Sequence, residues 1–179
     1  DAMVVKVGKH TLTWCPKMTH PAFSKSEYDR RLSLTRNAMA ERGIDILFVT
    51  DPSNQAWLTG YDGWSFYVHQ GVIVTLDRDP IWWGRMMDMF GGRRTCWMSP
   101  DNIIGYGDHF IQSTEFHPMA DLARIIKDMG YETARLGVEL ENYYYSAKAH
   151  LVLTSELPKA TVIDATALVN WQRLIKSAG

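Results

Sequence analysis

The run IDILFVT, residues 44 to 50, constrains the fold most: a short, continuous apolar segment too brief for a buried helix and rich in β-branched side chains. A strand with no polar face has to be covered on both sides. Similar runs recur as SFYVHQGVIVTL (65–76), PIWWGR (80–85), IIGYG (103–107), ARLGVEL (134–140) and ATVID (160–164). The first two of these lie either side of the charged turn Asp77-Arg78-Asp79 and read as a hairpin. Helical spacing fills most of the intervals. The expectation is an α/β domain, three-layer α/β/α, in which the hairpin makes the β-sheet mixed rather than purely parallel.

The helix boundaries carry their own chemistry. Ser24 and Glu27 stand at capping-box spacing, where each satisfies a free backbone N–H. Tyr28, Leu32, Thr35 and Met39 then recur at steps of three and four, and Gly43 falls where a helix ends. Asp51 and Pro52 mark the start of a second, short helix that stops at Gly60. Residues 86–97 read as a helix weakened by Gly91-Gly92, at about 1 kcal/mol per glycine. Met119, Leu122, Ile126 and Met129 share one face of a further helix, and 145–157 and 165–177 supply two more. Residues 1–22, with Pro16 and Pro21, read as an extended arm.

Composition narrows function mainly by exclusion. A chain of 179 residues with 46% hydrophobic side chains is the size of one domain with a sizeable core. The formal charge of −1 and the absence of a long basic run argue against nucleic acid as a partner; Arg93-Arg94 reads as a solvated helix face. No stretch approaches a membrane span, and DAMVVKVGKH lacks the apolar run of a signal peptide. Cys15 and Cys96 are isolated, which fits a reducing compartment, so a cytoplasmic location is expected with no membrane partner.

Familiar catalytic signatures are missing. Gly8-Lys9 lacks a phosphate-binding glycine loop, GYGDH at 105–109 lacks a third glycine at dinucleotide spacing, and there is no HExxH or GxSxG. Asp108, His109 and His117 are separated by a loop and read as solvated or helix-capping groups rather than a metal set. No catalytic and no metal-binding residue is therefore assigned. The concentration of chemistry is WLTGYDGWSFYVHQG, residues 57–71. One reading makes Trp64, Phe66 and Val68 core filling. The other uses aromatic faces to hold a delocalised cation, each contributing about 0.5–2 kcal/mol, with Asp62 as charge partner. YYYSAKAH (143–150) carries three consecutive tyrosines that cannot share one helical face, so at least one is expected to be exposed, packing at a subunit or domain boundary.

Several motifs in order resemble the N-terminal domain of the creatinase/prolidase family: EYDRRLSLTRNAMAERG, the G-x-D-x-L-x-V strand at Gly43–Val49, the D-x-x-N turn at Asp51–Asn54, the L-T-G-Y segment at Leu58–Tyr61, and the closing NWQRLIKS. Within the family, DPSNQAWLTGYDGWSFYVHQ, DNIIGYGDHFIQSTEFHPM and DATALVNWQR resemble the ectoine hydrolase branch. Val68-His69 stands where creatinases carry an arginine, which argues against creatine as substrate, and Xaa-Pro peptidases are the second choice. The resemblance implies an N-terminal arm (1–22), a creatinase/prolidase-type α/β domain with a ribonuclease H-like motif (23–165), and the start of a linker helix (166–179) leading to a separate catalytic domain. That domain would carry the hydrolytic residues and, in the peptidases, a di-metal centre; no cofactor is expected in this fragment. The N-terminal domain would contribute homodimerisation and an active-site wall, taking a small zwitterionic substrate at Trp64, Phe66, His69 and Asp62. His69 reads equally as a polar contact or as a satisfied structural histidine. A stand-alone binding or dimerisation module is the competing class.

Overall fold

Ile46–Val49 forms a strand with every side chain buried, and its neighbours show why. In a computed structural model, described over residues 21–177 and for the backbone of Met3–Val7 and His10–Trp14, this strand lies third from one edge of a six-stranded sheet. Met3–Val7 (β1) and His10–Trp14 (β2) pair antiparallel in a separate two-stranded sheet. Cys15 lies outside the described residues. The main domain runs Lys25–Glu41 (α1), Ile46–Val49 (β3), Pro52–Thr59 (α2), Gly71–Thr75 (β4), Ile81–Arg85 (β5), Met86–Thr95 (α3), Ile103–Tyr106 (β6), Pro118–Asp128 (α4), Arg135–Val138 (β7), Ala147–Glu156 (α5), Thr161–Asp164 (β8) and Leu168–Leu174 (α6). The sheet order is β6-β5-β4-β3-β7-β8. The pairs β3–β4 and β4–β5 are antiparallel, and the other three are parallel.

The period of two along the central strands separates two cores. Leu47, Val49, Val72, Val74 and Trp82 point to one face and pack with Leu32 and Met39 of α1, Leu58 of α2 and Leu168 of α6. Ile46, Phe48, Ile73 and Trp83 point to the other, against Met119, Leu122 and Ile126 of α4 and Ala149 and Leu153 of α5. Helices thus cover both faces of a mixed sheet, the expected three-layer α/β/α arrangement.

The local signals operate as the sequence implies with one exception: Glu27 does not complete the capping box, because its carboxylate accepts from Arg30 and Arg31 rather than from the Ser24 amide. Ser24 caps α1 by accepting from the Glu27 amide, and Gly43 follows its end at φ 61°. Asp51 accepts from the Asn54 amide at the start of α2, and Gly60 closes it at φ 81°. Two expectations need correction. The strand expected over 65–76 begins only at Gly71: the β3–β4 ladder ends where β3 gives way to α2 after Val49, and backbone 65–70 forms no ladder pair although β5 runs on through Gly84 and Arg85. The helix expected over 165–177 is confined to Leu168–Leu174, with Ala167 before it at φ 60° and Ile175 extended after it.

Candidate functional site

The ten residues 61–70 form a loop pinned at its two ends. Tyr61 is buried against Trp82 with ring centroids 4.7 Å apart, and Gln70 is buried at the other end. The Tyr106 hydroxyl donates to the His69 carbonyl at 2.6 Å. Gly71 then starts β4 beneath the Phe48 ring, where an added Cβ would stand 2.4 Å from a ring carbon. Between these anchors Trp64, Phe66 and Tyr67 are 60%, 67% and 61% exposed, so none of the three is core filling.

A second aromatic segment meets this loop. Trp64 makes edge-to-face contacts with Phe66 and with Tyr144, each at 6.3 Å between centroids, and Tyr144 in turn contacts Tyr143 at 5.9 Å. Of the three consecutive tyrosines, Tyr145 is buried and Tyr143 is exposed, and all three precede α5 in a turn rather than lying within the helix. The sequence carried no sign that Tyr144 and Trp64 would touch, because that contact depends on β7 lying beside β3.

His69 and His117 also come together, with ring centroids 5.0 Å apart. His117 is the N-cap of α4: its Nδ1 accepts from the Met119 amide at 3.2 Å. Burial pushes the His117 ring down to about 4, helped by the proximity of His69 and Lys148. His69 is also lowered by burial, opposed by a hydrogen bond to the Tyr144 backbone. Both rings are therefore neutral near pH 7. The His-Pro pair before an apolar period pointed to the capping role of His117; nothing local pointed to its neighbour.

Asp62 stands apart from this group. It lines a groove of about 660 Å³ with Phe23, Arg31, Trp57 and Arg173, a groove that Trp64, Phe66 and His69 do not line. Arg31 in that groove lies 4.0 Å over the Phe23 ring and donates to Glu27 at 2.7 Å.

Glu139 is the feature that sequence reading missed. It follows the apolar strand β7 and is 3% exposed. Its carboxylate accepts from the Thr50 and Asp51 amides at 2.7 and 2.8 Å, from Asn54 Nδ2 at 2.6 Å and from Asn142 Nδ2 at 3.2 Å. Burial raises its pKa, against the pull of these donors. Asn54 also donates to Asn170 and accepts from Arg173, joining α6 to the same cluster. The only sequence signal was an acidic residue closing an apolar strand.

Among the described residues, no three His, Cys, Asp or Glu side chains are grouped to hold a metal ion. Asp108 instead pairs with Arg85 at 2.8 Å, and His109 packs on Phe110 at 4.1 Å. Cys96 is buried and its thiol is pushed up to about 12, which leaves it protonated and unreactive. What the 61–70 loop offers at the surface is a group of exposed aromatic side chains.

Comparison with known proteins identifies the family. The profile of the Creatinase/Prolidase N-terminal domain matches residues 31–175. The chain is 55% identical over 156 residues to the ectoine hydrolase of Halomonas elongata, which covers 87% of this chain and 39% of that protein. It is 26% identical over 160 residues to the creatinase of a Bacillus species, covering 88% of this chain and 36% of that protein. The fold matches a proline dipeptidase from Streptococcus pneumoniae with a TM-score of 0.65 at 18% identity, over 81% of this chain and 98% of that one. The chain spans about two fifths of the length of the curated relatives it matches. With the profile spanning most of the sequence and the sheet matching in three dimensions, this chain belongs to the creatinase/prolidase N-terminal domain family.

Proposed function

We propose that this domain is the non-catalytic N-terminal part of a hydrolase of C–N bonds acting on a small zwitterion of the ectoine type, and that its 61–70 loop is a wall of the substrate site. The observation that carries the reading is the exposure of Trp64, Phe66 and Tyr67 on one anchored loop, with Trp64 braced by Tyr144. Ectoine is a cyclic amidine bearing a carboxylate. Its delocalised positive charge suits an aromatic face, at about 0.5–2 kcal/mol per ring. Ring opening adds water at the amidine carbon, breaks one C–N bond and passes a proton to the departing nitrogen, leaving an acetylated diaminobutyrate. Trp64 and Phe66 would exclude water from that site, and His69, neutral at pH 7, would be a hydrogen-bonding contact rather than a cation.

The groups that perform the hydrolysis are assigned to a separate catalytic domain, as is the di-metal centre of the family's peptidases; the described residues here do not fit a metal, and no step is routed through one. The wall is proposed to act across a homodimer, in the cytoplasm. The identity of 55% to an ectoine hydrolase favours this substrate over Xaa-Pro dipeptides. Asp62 would act only if its groove joins the substrate site in the full-length protein. The test uses full-length protein carrying Trp64→Leu or Phe66→Leu, which keep apolar volume and remove the π face. KM for ectoine should rise by about two- to thirty-fold, the equivalent of one cation–π contact, with an unchanged melting temperature. Normal kinetics in both variants would sink the proposal. Turnover of Xaa-Pro dipeptides but not ectoine would transfer the site to the peptidase reading, and loss of no activity on deleting the domain would leave a binding module.

A further inference from the structure

A buried carboxylate surrounded only by neutral donors is an unusual way to join three elements. Glu139 directly contacts the β3–α2 turn at Thr50 and Asp51, the side chain of Asn54, and the turn after β7 through Asn142. The last of these contacts leads outward. Asn142 Oδ1 accepts from the Tyr144 amide at 2.9 Å, so the same side chain holds Glu139 with its amide nitrogen and Tyr144 with its oxygen. Tyr144 then reaches the aromatic loop: its ring meets Trp64 edge-to-face, with centroids 6.3 Å apart.

We infer that Glu139 is a positioning residue for the aromatic loop, acting through Asn142 and Tyr144 on Trp64. The anchor is suited to the task. Glu139 directly follows β7, which pairs with β3 inside the sheet, while Trp64 sits on a loop with no ladder partner of its own. A carboxylate only accepts hydrogen bonds, so four donor-bearing groups converging on it fix its orientation and, through Asn142, the path of the next three residues. An amide in its place presents N–H groups to those same donors, whichever way it is turned. Removing one partner from such a buried set leaves the others unsatisfied. The effect on substrate rests on the proposed function of the loop; the effect on the loop itself does not.

The test compares three variants in the full-length protein. Asn142→Ala removes both halves of the bridge. Asn142→Asp keeps the acceptor for the Tyr144 amide but loses the donor to Glu139 and sets two carboxylates side by side. Glu139→Gln perturbs the anchor directly, and the two Asn142 variants keep the inference testable where that change prevents folding. Hydrogen exchange of segments 64–70 and 143–146 should quicken by about five-fold in both Asn142 variants, the equivalent of one neutral hydrogen bond, while exchange in β3 and β4 stays unchanged. KM for ectoine should rise with kcat retained. If Asn142→Asp exchanges like the wild type, the link to Glu139 is idle and the inference is overturned. If Trp64→Leu has normal kinetics while exchange still quickens in the Asn142 variants, the substrate reading falls and the positioning role stands.

Discussion

His117 gives the sharpest quantitative test of the site, because its hydrogen bond and its titration act in the same direction. The ring caps α4 through Nδ1, which accepts only while that nitrogen is unprotonated, and it faces His69. Its pKa falls from the ordinary 6.5 to about 4. A group whose folded pKa is depressed contributes stability above its unfolded pKa and loses it as pH falls toward the folded one. The window is therefore pH 6.5 down to about 4. Within it the unfolded chain takes up a proton that the folded chain refuses, and below it the loss levels off. At 1.36 kcal/mol per pH unit the full effect is about 3 kcal/mol; the ring is only partly buried, and solvent screening reduces this to about 1–2 kcal/mol. His117→Asn keeps a strong capping residue and removes the titration. Urea unfolding of both proteins at pH 7.5, 6, 5 and 4 measures the difference directly. The variant should match the wild type within about 0.5 kcal/mol at pH 7.5 and gain on it steadily as pH falls. His69 remains in both, and because the two rings face each other the difference reports the titration of the pair with and without its capping member. A stability difference that does not change with pH would refute the assignment of a neutral, capping His117.

Two further outcomes are expected. Gly71→Ala should destabilise the chain by about 1–3 kcal/mol, since the new methyl meets the Phe48 ring at 2.4 Å and the Val49 carbonyl at 2.7 Å; thermal unfolding measures it, and an unchanged Tm would show that β4 can shift to make room. The chain by itself should give background rates with ectoine, creatine and Xaa-Pro dipeptides and retain less than one equivalent of transition metal after dialysis. Reproducible turnover, or a full equivalent of bound metal, would mean that a site has been overlooked.

Elements whose specification is local were legible in the sequence. Ser24 and Asp51 each cap an amide three residues ahead, and Gly43 and Gly60 each stand just past the end of a helix, so these local signals alone mark α1 and α2. The unbroken apolar run at 44–50 required cover on both faces, and the alternation of such runs with helices required layers; these followed from periodicity and burial before any contact was known. The aromatic concentration at 57–71 was equally visible, but its conformation was not. Residues 65–70 have the composition of a strand but form no ladder pair, which depends on where β3 ends and on how the loop diverges from β5. The same holds for the site. Trp64 with Tyr144, His69 with His117, and Glu139 with the α2 N-terminus are pairs separated by tens of residues; the first and last meet because parallel pairing sets β7 beside β3, the second because α4 packs on the sheet face to which Ile73 of β4 points. Local sequence fixes which groups a segment can offer; the sheet order decides which of them meet, because side chains of distant segments share no periodicity until the strands that carry them are in register.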